Sequence, residues 1–495
     1  MNKYVGIDLG TSAMKLILCT AEGEILSSVS EGYPISYPKS GYSEQSPEDW
    51  LSALKRGLER LLSDADRETV KGISFAGQMH GLVMLDENDK VIRPAILWND
   101  GRCEEETEYL NKTVGKDLLL SETGNIAFAG FTAPKLLWVK KNEPENYKRI
   151  RRIMLPKDYL VYMMTGAHVT DRSDASGTLL YDVKMKRWSE RMLEICSVEP
   201  RWLPRICESC EVVGEAKAEY RLPFAKVSAG AADNAAAAIG TGTVKDGFCN
   251  LSLGTSGTVF IAKDEFTATD GIVHSFAHAD GKFHLMGCIL SAASCNGWWM
   301  GVLGENDFDK AEDSVSGRLG ESDVYFLPYL MGERAPHNDV NARGAFIGLS
   351  ADTEKADMTL SVMEGVAFAL KNSIEGVEGL DLSRITVSGG GARSESMKRI
   401  LASVFNSEIL TLNAEEGPAM GAAMLAMVGA GEYSTPYKAA ERIVGIRSVT
   451  YPEKRLTDVY ERKYRIFKTL YPALRSAYSE MARERKVIFD RWRKG

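Results

Sequence analysis

Two apolar runs in this chain end in the same four residues. Val5-Gly6-Ile7-Asp8-Leu9 runs into Gly10-Thr11-Ser12, and Asn250-Leu251-Ser252-Leu253 runs into Gly254-Thr255-Ser256-Gly257. A second β-prone run follows each, Met14 to Thr20 and Thr258 to Ala262. Strand, small-residue turn and return strand predict two β-hairpins. Glycine leaves the N–H groups of such a turn uncovered, and Thr and Ser add hydroxyls. Each turn therefore reads as a cradle for anionic oxygens. One copy alone would pass for an ordinary turn. Two copies at strand ends, facing each other, could clamp a polyphosphate.

The rest of the pattern is α/β. Ser46 reads as an N-cap with Pro47 at the first helical position, and Trp50, Leu51, Leu54, Leu58, Leu61 and Leu62 form one helical face. Lys71 to Ala76 predicts a strand that delivers Gly77-Gln78-Met79-His80-Gly81. Val83–Leu85 and Val91–Trp98 predict a hairpin ending at Trp98-Asn99-Asp100-Gly101-Arg102. Residues 103 to 222 read as mainly helical. Ala225 to Ala229 predicts a strand, with Asp233 just before the alanine-rich helix that begins at Asn234. Later come a helix from Glu354 to Leu380 and a strand from Ile385 to Ser388. Gly389-Gly390-Gly391 then leads into a helix from Glu395 to Phe405, a small-residue helix opens at Pro418, and a helical tail runs from Tyr460.

Length divides the pattern. A chain of 495 residues is too long for one core, and a glycine-rich stretch before the second hairpin puts the expected boundary near 244. The expected domains are 1–244 and 245–495. The net charge of −8 speaks against a general nucleic-acid binder. Met1 to Tyr4 runs directly into the first strand, leaving no room for a signal peptide, and no apolar run is long enough for a membrane span. Eight scattered cysteines suit a reducing cytoplasm. Cys207 and Cys210 read as two surface thiols, and His274, His278 and His284 lack the acidic or cysteine partners of a metal site. The basic end of the tail reads as a solvated face or a subunit contact, with which a homodimer is compatible.

Candidate chemistry gathers at the strand ends. Asp8 beside a phosphate cradle would repel phosphate unless a cation, usually Mg²⁺ held through water, lies between them. No P-loop motif is present. Met79-His80, between glycines at a strand end, is where α/β proteins place ligand contacts, although a lone histidine is more often structural than functional, while Trp98-Asn99-Asp100 with Arg102 suits a polyol. Asp233 reads first as a helix cap. A carboxylate at a helix N-terminus stays ionised at neutral pH, so it can also accept a proton. The glycines 389 to 391 allow close approach of an anionic ligand, with helix N–H groups aimed at it.

These residues carry a resemblance over nearly the whole chain. Gly130-Phe131-Thr132-Ala133-Pro134-Lys135-Leu136-Leu137-Trp138 through Asn142 resembles the first signature of the FGGY carbohydrate kinases. Gly344 to Leu349 through Met363-Glu364 resembles the second. Gly77–Gly81, Ile96–Arg102 and Gly332-Glu333-Arg334 with Pro336-His337-Asn338 are similar to the xylulokinase branch. The resemblance implies an α/β protein of two actin-like, ribonuclease-H-like ATPase domains flanking a central cleft, using ATP and Mg²⁺ to phosphorylate a ketose such as D-xylulose. It implies sugar contacts at Met79, His80, Trp98, Asn99, Asp100, Asp233 and Asn234. It implies a catalytic base at Asp233, and Mg²⁺ and phosphate support at Asp8. ATP contacts are expected at Gly10, Thr11, Ser12, Gly254, Thr255, Ser256, Gly389, Gly390 and Gly391. The expected partners are thus a small sugar and ATP. Other ketoses or gluconate, or an actin-like nucleotide switch, are the alternatives.

Overall fold

The computed structural model describes residues 1–413 and 417–492, with side chains described through 484. The basic end of the tail lies largely outside the described side chains. The chain forms two compact units, each built from separated segments. The first comprises Met1–Asp246, Ala262–His284 and Glu416–Gly445; the second comprises Gly247–Ile261, Leu285–Glu415 and Ile446–Gly495.

In the first unit the strands are β1 (Lys3–Leu9), β2 (Ala13–Thr20), β3 (Ile25–Gly32), β4 (Val70–Gly77), β5 (Val212–Glu215), β6 (Lys226–Ser228) and β7 (Ala231–Ala232). Their order is β5-β6-β4-β1-β2-β3, with β7 also on β4. The predicted hairpin is present: β1 and β2 are antiparallel, with Leu9 opposite Met14. β4 lies parallel to β1 on its other side. Strand alternation sorts β1 onto two faces. Val5, Ile7 and Leu9 are buried in one core cluster with Trp50, Leu54, Leu58 and Leu61 of the helix Pro47–Leu61. Gly6 faces the other way, onto the helix Gly417–Ala430. A Cβ at Gly6 would lie 2.0 Å from Ala419 O, and one at Gly421 1.8 Å from Ala236 O. The small-residue helix therefore packs on β1 and on the helix Asp233–Gly240.

In the second unit the strands are β8 (Phe248–Leu253), β9 (Gly257–Lys263), β10 (Phe283–Ile289), β11 (Arg384–Ser388), β12 (Ile409–Leu412) and β13 (Ile446–Thr450), in the order β10-β9-β8-β11-β12-β13. β8 and β9 form the second predicted hairpin, with Leu253 opposite Gly257, and β11 runs parallel to β8. The order β3-β2-β1-β4-β6 thus recurs as β10-β9-β8-β11-β12.

Several local expectations fail for identifiable reasons. Val83–Leu85 and Val91–Trp98 keep only one bridge, Leu85 to Val91. Pro94 cannot donate to a ladder. Val83–Leu85 pairs instead with Arg152–Met154, and Ala95–Ile96 with Glu44–Gln45. The helical stretch 103–222 also contains short strands, Val169–Asp171 and Arg205–Cys207 among them. The helix expected to reach Leu380 ends at Asn372. Ser46 occupies the N-cap without capping: its hydroxyl donates to Glu48, 2.5 Å away. Cys207 is buried and Cys210 half-buried, so neither is a surface thiol.

Candidate active site

Three of the candidate segments leave the first sheet at the same edge. β1, β4 and β7 run parallel, and their register aligns Leu9 with Gly77 and Gly77 with Ala232. The residues that follow are Gly10, Gln78 and Asp233. All three emerge at the carboxyl ends of neighbouring strands, where open α/β sheets place their ligands. Side chains tie the segments together. Asn234 Nδ2 donates to Met79 Sδ at 3.1 Å, and Trp98 Nε1 donates to Thr11 Oγ1 at 3.0 Å. Gln45 links the floor: its Nε2 donates to Thr11 O at 2.6 Å, and its Oε1 accepts from Trp50 and Gln78, both at 3.1 Å.

Asp233 is not the cap of its helix. Ala232 holds the N-cap position and Asp233 is the first helical residue, its Oδ1 accepting the Asn234 N–H at 2.7 Å. The residue keeps part of its surface open. Protein atoms nevertheless crowd the carboxyl, and the lost solvation lifts its pKa from 3.8 to about 6. The carboxylate thus stays ionised at neutral pH, as expected, but desolvation brings its pKa close to that range, against the pull of the Asn234 N–H. The outcome is a carboxylate ionised at pH 7 but close to its proton, which suits a general base.

His80 adopts a left-handed backbone, with φ of 68°. Its Nδ1 lies 2.7 Å from the Gly177 carbonyl, which can only accept, so Nδ1 carries a proton. Nε2 is then the acceptor in the neutral ring. The ring stacks on Phe131, with centroids 4.6 Å apart and planes at 24°. Trp98 is exposed beside the first turn and Asn99 is exposed next to it. Asp100 differs from both. It is buried, and its oxygens are taken by Arg102 at 2.7 and 2.9 Å and by the Ser43 N–H at 2.6 Å. That geometry makes Asp100 an anchor for the loop that presents Trp98, and the expected sugar contact is not what its oxygens serve here.

Asp8 is half-buried at the end of β1, opposite Lys15 across the hairpin. Among the described residues no group of three or more His, Cys, Asp or Glu is placed to hold a metal. A carboxylate at a turn, with no acidic cluster around it among the described residues, fits Mg²⁺ of the kind that keeps most of its water and takes other ligands from phosphate.

The second unit brings its own candidates together. Gly389 has a φ of 84°, and a Cβ there would lie 2.7 Å from Leu253 O, so the glycine segment rests against the Gly254-Thr255-Ser256 turn. The carbonyls of Gly254 and Thr255 accept from the N–H groups of Ala293 and Ala292, both at 2.9 Å. Thr255, Ser256, Gly389 and Gly390 are exposed. One expectation is corrected. At the N-terminus of the helix Glu395–Phe405 two N–H groups are already taken, since Ser394 Oγ accepts from Met397 N–H and Glu312 from Ser396 N–H, at 3.0 and 2.6 Å. Those two N–H groups are therefore not open to a ligand.

The chain matches the N-terminal domain of the FGGY family of carbohydrate kinases over residues 3–240 and the C-terminal domain over 249–430. The chain belongs to the FGGY family of carbohydrate kinases. Xylulose kinase of Staphylococcus xylosus is 38% identical, covering 95% of this chain and 100% of the relative. Two solved proteins of Lactobacillus acidophilus superpose with a TM-score of 0.92 at 26% identity. One is a ligand-bound xylulose kinase, covering 97% of this chain and 100% of that one; the other is a gluconate kinase, covering 97% and 99%. The two α/β units, each with a mixed sheet, are the actin-like ATPase fold of these FGGY kinases.

The residues that sequence reasoning missed are those that hold the candidates. Phe131, Thr132 and Lys135 lie inside the first signature, which marked the family without giving them roles. Gly177 acts through its carbonyl, an atom that no side-chain pattern can reveal.

Proposed function

We propose that this FGGY kinase transfers the γ-phosphoryl group of ATP to D-xylulose, giving D-xylulose 5-phosphate and ADP. What carries the reading is the strand-end assembly in the first unit. There a part-exposed, desolvated Asp233 stands beside Asn234 and Met79, in a chain similar over nearly its whole length to xylulose kinases.

The oxygen of the sugar's primary alcohol attacks the γ-phosphorus. The new O–P bond forms as the bond to the bridging oxygen breaks, and ADP leaves with that electron pair. The alcohol proton passes to Asp233, late in the reaction, when the attacking hydroxyl has become acidic. Met79, His80 and Trp98 orient the sugar, with His80 Nε2 accepting from a hydroxyl. The turns at Gly10–Ser12 and Gly254–Ser256, with Gly389–Gly391, contact phosphate. Asp8, water and phosphate oxygens would hold Mg²⁺, whose charge offsets that of the transferring group. No described helix is long and apolar enough to cross a membrane. All eight cysteines are free thiols, which with ATP as cosubstrate supports a cytoplasmic site of action.

The gluconate kinase, equal in TM-score and identity to the xylulose kinase from the same organism, makes a sugar acid the second reading. ADP release is measured with D-xylulose, D-ribulose, a deoxy-ketose, gluconate and glycerol. D-xylulose should give the highest kcat/KM. A sugar acid preferred by about tenfold or more, the span of one or two lost polar contacts, would replace the assignment. ATP turnover indifferent to every acceptor would point instead to a nucleotide switch.

A further inference from the structure

Lys135 has no exposed surface, and its ammonium donates to two backbone carbonyls: His80 O at 2.8 Å and Gly130 O at 2.6 Å. Thr132 Oγ1 donates to the same His80 carbonyl at 3.1 Å. His80 occupies a left-handed backbone region that is strained for a non-glycine residue and persists only where its surroundings hold it. Here Gly177 holds the ring, Phe131 covers it, and Thr132 and Lys135 hold the carbonyl. The second carbonyl matters as well. A Cβ at Gly130 would lie 2.4 Å from Trp98 O, so the backbone that Lys135 grips at Gly130 is the backbone on which the Trp98 loop rests. One ammonium thus fastens together the loops that carry His80 and Trp98.

Stability alone does not account for a lysine at this place. Burial lowers its pKa to about 7, against which Cys103 and Asp100 act favourably and Arg102 unfavourably. A well-fitting apolar side chain would avoid that desolvation cost.

We propose that Lys135 is a positioning residue for sugar recognition, fixing His80 and the Trp98 loop in the arrangement that reads the acceptor. The proposal rests on the assignment of His80 and Trp98 to the sugar. It is therefore tested with whichever acceptor the unaltered enzyme phosphorylates best, so that a wrong sugar and a wrong role for Lys135 give different results. Affinity for that acceptor is measured calorimetrically without nucleotide, beside the KM for ATP and a thermal melt. Lys135→Met should weaken acceptor binding about 10- to 100-fold and leave the KM for ATP within about twofold. Thr132→Val, which removes one bond to the same carbonyl, should weaken it about 3- to 10-fold. A merely structural role would lower the melting temperature without coupling to the ring of His80. In a His80→Ala background, therefore, each substitution should lose most of its effect on acceptor affinity. Unchanged acceptor affinity in folded Lys135→Met, or effects additive with His80→Ala, would overturn the proposal. If Lys135→Met does not fold, Thr132→Val decides by the same cycle.

Discussion

The two Leu-Gly-Thr-Ser turns share four residues, a hairpin register and a parallel strand on the same side, and they are finished differently. The first is surrounded by side chains. Thr11 accepts from Trp98 and Gln45, Tyr33 donates to Gly10 O, and Asp8 and Lys15 face each other at its base. The second is finished mainly by backbone: its carbonyls receive the N–H groups that start the helix Ala293–Leu303, with one side-chain bond from Ser294 Oγ to Thr255 O at 2.6 Å, and Gly389 lies against Leu253, leaving Thr255 and Ser256 exposed. One supersecondary unit has become a platform with a polar wall in one case and an open cradle in the other. The side-chain wall of the first suits a sugar with many hydroxyls, and the backbone N–H groups of both turns suit a phosphate chain.

The largest effect should come from the residue that has no counterpart at the second turn. Asp233→Asn should lower kcat by about 10²- to 10⁴-fold while both substrates still bind. In the unaltered enzyme kcat/KM should rise with pH through about 6 and then level; the variant should lose that limb. Stability should move the other way. With a folded pKa raised from 3.8 to about 6, Asp233 binds more protons folded than unfolded between those values. It therefore supports folding below pH 3.8, and that support is lost as pH rises through 6. Asp233→Asn should raise the melting temperature at pH 8, by a stabilisation of roughly 1–3 kcal/mol after allowance for its partial exposure. A melt at pH 8 and a pH–rate profile check both. Near-normal kcat in the folded variant would remove Asp233 as the base.

The next effect belongs to the second turn. At Gly389 a Cβ meets a φ of 84° and a carbonyl 2.7 Å away. Gly389→Ala should therefore push the glycine segment off the turn and raise the KM for ATP about 10- to 100-fold, the cost of 1–3 kcal/mol of strain. Calorimetric affinity for D-xylulose without nucleotide should not change. Loss of sugar affinity would show that this segment serves something other than nucleotide.

The sequence revealed both hairpins because apolar alternation and a small-residue turn are local signals. It also marked Gly10, Gln78 and Asp233 as strand-end residues, but only the register of β1, β4 and β7 shows that they share one edge. It misjudged groups whose role depends on distant neighbours. Asp100 looked like a sugar contact, because Arg102 and Ser43 close around it only in the folded loop. Asp233 looked like a helix cap, and its raised pKa was not legible, because no local pattern reports how far a carboxyl will be desolvated. The helix N-terminus after Gly391 looked open, because Glu312, which takes the Ser396 N–H, lies 84 residues away from Ser396 in the chain.

The smallest effect is the most direct test of the difference between the turns, because it makes one change at both. Thr11→Val removes the hydroxyl that receives Trp98 Nε1. Trp98 is exposed, so water can replace that bond, and the loss should come mainly from a less fixed indole: about 3- to 10-fold in D-xylulose affinity, the worth of one modest hydrogen bond. Thr255→Val removes an exposed hydroxyl from the turn proposed to contact phosphate. It should cost a similar factor in the KM for ATP and leave sugar affinity as it was. The comparison is made by calorimetry with sugar alone and by ATP titration at saturating sugar, on both variants in one buffer. Opposite signatures would establish that the duplicated turn has been divided between two substrates. If both substitutions weaken ATP alone, the first turn serves phosphate only, its side-chain wall does not reach the sugar, and Trp98 would have to be read as part of that cradle.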